Sequence, residues 1–79
     1  MITSAILQRL GFAQDEVGHS MLLQPSVPGA RAVEVFVAAA EDGGHVVGLL
    51  QDTDQIVLTS LPPEVSEDRL RRLITALRP

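Results

Sequence analysis

Seventy-nine residues with six basic and ten acidic side chains and no cysteine describe one small domain, residues 1–79, with a formal charge of −4. The lack of cysteine excludes disulfides and thiolate metal sites. All six cations are arginines and two phenylalanines are the only aromatics, so a net negative chain with almost nothing to stack on bases is expected to bind no nucleic acid.

A hydrophobic share of 46% places the chain among folded proteins. No apolar run approaches the roughly 20 residues of a membrane span. Met1-Ile2-Thr3-Ser4 lacks the basic start of a signal peptide, so the expectation is a cytoplasmic protein with no membrane contact. At this size folding buries only about 60% of the unfolded chain's surface, and oligomerisation is the remaining common route to added stability.

Ile2, Ile6 and Leu10 recur four apart, which predicts a helix over 2–10 capped by Thr3 or Ser4. Gly11 suits the left-handed position beyond its end, and Phe12 follows where a Schellman stop returns an apolar side chain onto Leu7. Asp15, Glu16 and Gly18 read as a polar turn, and Met21-Leu22-Leu23 as a short strand. The two prolines and the glycine of residues 24–29 predict an irregular loop.

Residues 32–59 hold three strand-like runs separated by two polar reversals. In the first, over 32–40, Val33, Val35 and Val37 share one face while Glu34, Phe36 and Ala38 share the other. Glu41-Asp42-Gly43-Gly44 supplies turn residues, residues 45–50 return, residues 51–54 reverse again, and 55–59 form the third strand. Pro62 and Pro63 break the sheet. Ser66 then caps a helix whose Leu70, Leu73, Ile74 and Leu77 repeat at i, i+3, i+4, i+7. Glu67 with Arg71 and Asp68 with Arg72 are i, i+4 pairs in the favourable order.

The expected architecture is therefore α+β: an N-terminal helix, an antiparallel β-meander of three to four strands, and a C-terminal amphipathic helix packed on the sheet. This order of helix, strands and helix around an apolar sheet, with the Leu-Gly-Phe helix end within Leu7 to Phe12, is similar to that of small dimeric secretion-chaperone-like domains. No functional residue is carried over from the resemblance, because architecture does not fix function.

The meander is apolar on both faces, and two helices can cover one of them. The other reads as an interface, with Phe36, Ala38, Val46, Leu50 and Val57 as candidate contacts for a second copy burying on the order of 800 Å² per partner. The chemical inventory is sparse. Gly18-His19-Ser20 has no Gly-x-Ser-x-Gly context, and no catalytic residue is assigned.

Glu41, Asp42 and His45 lie around one turn and Asp52 and Asp54 around another, roughly 20 Å away along the middle strand, so no metal or cofactor is expected. Arg69 and Arg72, three apart with Arg71 to the side and Arg78 two turns beyond it, form a candidate contact for an anion or an acidic partner. The loop ending in Arg31, with Val27 exposed, is a second candidate contact.

These features favour a non-enzymatic homodimeric protein-interaction domain, an adaptor, regulator or chaperone-like binder of another protein. A small-ligand module with a pocket between sheet and helices is the alternative. An enzyme using His19 or His45 at a dimer interface ranks below both, as does a DNA-binding regulator, which the net charge disfavours.

Overall fold

A computed structural model describes residues 2–16, 18–52 and 54–78. The chain runs α1 (Ser4–Arg9), β1 (Ala13–Asp15), β2 (Gly18–Leu23), β3 (Val33–Ala39), β4 (His45–Gln51), β5 (Asp54–Leu61) and α2 (Glu67–Leu77). The strands form one antiparallel sheet in sequence order, β1-β2-β3-β4-β5, with a helix before it and a helix after it. The α+β class and the meander are as expected. The strand count is corrected from three or four to five among the described residues.

Both helix boundaries follow local chemistry. The Thr3 hydroxyl accepts from the Ile6 N–H at 3.2 Å, closing the start of α1. At its end Gly11 takes φ +108°, the Phe12 N–H reaches the Leu7 carbonyl at 2.9 Å, and the Gly11 N–H reaches that of Gln8 at 3.1 Å. This is a complete Schellman stop, and it delivers Phe12 into the core beside Leu7. Ser66 Oγ accepts from the Arg69 N–H at 3.2 Å and starts α2, whose first turn carries Glu67 and Asp68 against the positive helix end.

The additional strand comes from Ala13 and Gln14, to which the sequence assigned no element, together with Asp15 of the expected turn. Ala13 and Gln14 pair with Ser20 and His19, and Ser20 Oγ donates to Asp15 Oδ2 at 2.6 Å across this hairpin. Gly18 enters β2 at φ +137°. A Cβ there would stand 2.6 Å from the Val37 carbonyl oxygen, so glycine lets β2 begin three residues before the apolar run that marked it. At the other end β5 continues two residues past Thr59 to Leu61, which pairs with His45. Thr53, in the second expected reversal, lies outside the described residues. Asp52 beside it has φ +55°.

Strand register divides the sheet into two unlike faces. Val35 lies opposite Leu49 and Val37 opposite Val47 on one face, and Phe36 lies opposite Gly48 and Ala38 opposite Val46 on the other. Leu7 and Phe12 join Leu70 and Ile74 in a single buried cluster with Leu23, Val35, Val37 and Val47. Both helices therefore cover the same face. Each such side chain contributes about 1.5–3 kcal/mol through removal from water. The shortest dimension, 19 Å, is that of one sheet carrying one layer of helices.

Candidate functional site

The face without helices carries three rows of side chains. Leu22, Glu34, Leu50 and Gln55 form the first, Ser20, Phe36, Gly48 and Val57 the second, and Ala38, Val46 and Ser60 the third. Of the five residues expected at an interface, Val57 is 60% exposed, Ala38, Val46 and Leu50 are half-buried, and Phe36 is only 2% exposed. Gly48 explains Phe36: with no side chain opposite, the ring lies against the β4 backbone, where a Cβ would approach within 2.7 Å of it. Phe36 is thus the floor of this face. Its protruding apolar groups are Val57 and Leu22, the latter 56% exposed and legible as the outward partner of buried Leu23 in a strand alternation.

The uncovered face ends at β5, which among the described residues has β4 as its only neighbour in the sheet. This edge is eight residues long and its only charge is Asp54. Neither lysine nor proline interrupts it, although these are residues by which edges usually discourage further pairing. Its register shifts at a bulge opposite the Val47/Gly48 step, where Leu58 is the extra residue. Ile56, Val57 and Leu58 are all exposed there. The opposite edge, β1, has three residues.

On the helical side, a groove of about 360 Å³ is lined by Arg9 and Leu10 of α1, Met21 of β2, and Arg71, Ile74, Thr75 and Arg78 along α2. Glu67 anchors one end. Its Oε1 receives Arg9 and its Oε2 receives Arg71 at 2.5 Å, while Arg71 also reaches Asp68 Oδ1 at 3.2 Å.

Arg69 and Arg72, singled out from sequence, do not line this groove, and Arg72 approaches Asp68 only at 3.9 Å. The arginines brought together are Arg9, Arg71 and Arg78. Arg71 and Arg78 share a helical face and were legible as such. Arg9 comes from 58 positions before its partner Glu67, and no local pattern announces it.

A second cavity, of about 220 Å³, brings Ser4, His19 and His45 to one end of the sheet beneath α1. Ser4 Oγ lies 3.0 Å from His19 Nε2. Asp15, four residues before His19, accepts a hydrogen bond from Ser20 Oγ. Asp42 is likewise occupied, accepting from the Gly44 N–H at 2.9 Å. Among the described residues no group of three His, Asp or Glu side chains is arranged to hold a metal ion.

His45 supplies a pH dependence. Burial holds its imidazole below the ordinary value of 6.5. The unfolded chain therefore binds a proton at His45 in an interval below 6.5 where the folded chain does not, and stability falls as pH drops through that interval. His45→Gln is expected to flatten the acid side of the stability profile, a modest effect for a half-exposed group. Urea midpoints across about pH 5 to 7 measure it, and an unchanged slope contradicts the assignment.

Among the described residues no helix is long and apolar enough to cross a membrane. No protein-family model, no curated protein and no solved structure matches the chain. The class that fold and surface define is a small α+β domain with one sheet face covered and the other bare.

Proposed function

We propose that the chain is a non-enzymatic protein-interaction domain that works as a homodimer, two copies joining along β5 so that their bare faces form one continuous surface. The observation that carries this reading is the one-sided cover: Leu7, Leu70 and Ile74 all belong to the cluster over Val35 and Val47, while Leu22, Val57 and Leu58 stay exposed. Patches of exposed apolar groups on folded domains mark interaction surfaces.

A second copy is the occupant that meets the edge on equal terms. Antiparallel β5–β5 pairing is self-complementary, as a two-fold interface requires. With Val57 opposite Val57 of the partner, the two Asp54 carboxylates lie roughly 20 Å apart and do not repel. The dimer would then offer a broad sheet surface to another protein.

Size-exclusion chromatography with light scattering tests the reading. The expected result at micromolar concentration is a mass twice the 8.5 kDa of one chain. A monomer at that concentration overturns it.

A further inference from the structure

The charges of this chain are strongly sorted. The helical layer and its caps hold Arg9, Arg69, Arg71, Arg72 and Arg78 against only Glu67 and Asp68, whereas everything else holds Arg31 against the eight remaining acids. A net negative protein thus carries a positive helical surface, and the groove between α1, α2 and β2 is cut into it. The groove joins two chemistries: an apolar floor of Leu10, Met21 and Ile74, and a rim of Arg9, Arg71 and Arg78.

The rim already holds one carboxylate. Glu67 sits between Arg9 and Arg71, each taking one of its oxygens, the forked geometry for which guanidinium is suited. Arg78 has no carboxylate partner among the described residues. The Thr75 hydroxyl bonds the Arg71 carbonyl at 2.9 Å, so the polar capacity facing the groove is supplied by the guanidinium groups.

We propose that this groove binds an acidic segment of a partner protein, with carboxylates on Arg78 and the Arg9–Arg71 pair and one apolar side chain on Leu10, Met21 and Ile74. Charge complementarity selects the acidic occupant. The groove is only partly enclosed, which favours a segment laid across it, because a small ligand gains most where 70–90% of its surface is enclosed.

The proposal deepens the interaction-domain reading but does not depend on the dimer, since all the lining residues come from one chain. Its test therefore reads the groove itself, apart from the mass of the particle.

Isotope-labelled protein followed by amide NMR is titrated with three probes: a short acetylated peptide of glutamates around one leucine, the same peptide with lysines for glutamates, and decanoate. The acidic peptide is expected to shift Leu10, Met21, Ile74 and Thr75, and to do so more weakly as salt rises. Arg78→Glu is expected to weaken it about tenfold or more. Glu67→Gln, which removes the internal competitor, is expected to strengthen it.

This opposite response of two variants separates the proposal from a purely structural role, in which Arg78 complements the helix dipole and Glu67 ties α1 to α2. Groove amides that ignore the acidic peptide, respond equally to the lysine peptide, or respond to decanoate alone overturn the proposal. So does unaltered binding by Arg78→Glu with its fold intact.

Discussion

Gly48→Ala is expected to lower the stability of the fold by about 2–3 kcal/mol, the upper part of the range for forcing extra atoms into a packed site. In an ordinary strand the same exchange helps by about 0.5–1 kcal/mol, because alanine loses less conformational freedom on folding. Here the sign is reversed by two obstacles. The new Cβ would stand 2.2 Å from the Ile56 carbonyl oxygen and 2.7 and 2.8 Å from two carbons of the Phe36 ring.

Neither obstacle is a flexible side-chain end. The carbonyl belongs to the β5 backbone beside the bulge, and the ring is buried at the centre of its face. The methyl group must separate β4 from β5 or turn Phe36 out into water. Phe36→Leu removes the second obstacle and leaves the first, so it should rescue Gly48→Ala only in part. Urea unfolding measures both. A Gly48→Ala midpoint at or above that of the parent would refute the account.

That contact also shows where the sequence was readable and where it was not. The Schellman stop at Gly11-Phe12, the Ser66 cap and the stripe Leu70, Ile74 were legible because each is decided within one turn of chain. So was the turn at Gly43, where φ is +85°. β1 was not legible. Ala13, Gln14 and Asp15 are exposed and have no apolar alternation, and they are strand only because Ser20, His19 and Gly18 pair with them.

Phe36 shares a face with Ala38, as alternation implies, but its burial was not legible, since it depends on a glycine twelve residues away on another strand. The groove was half legible. Arg71 and Arg78 share a helix face by spacing, but Arg9 joins them only through the tertiary packing of α1 beside α2. The bulge at Leu58 has no signature in the run Ile56-Val57-Leu58, and it decides which of these three apolar side chains lies beside Gly48.

The bare face and its edge lead to the second large effect. Val57→Lys is expected to convert the proposed dimer to a monomer, raising its dissociation constant by about 100-fold or more. Two-fold symmetry repeats the substitution, so the centre of the β5–β5 pairing would receive two ammonium groups, each losing hydration next to a like charge. The folded monomer should lose no more than about 1 kcal/mol, because Val57 is exposed and lysine is tolerated on an edge strand.

Val27→Lys is the matched control: Val27 is exposed to the same 60% but lies in the loop before β3, outside the sheet. Apolar exposure alone therefore predicts equal effects of the two lysines, whereas pairing along β5 predicts that only the lysine at position 57 dissociates the dimer. Light scattering across a dilution series distinguishes them. A dimer that survives Val57→Lys, or dissociates equally with Val27→Lys, places the contact elsewhere.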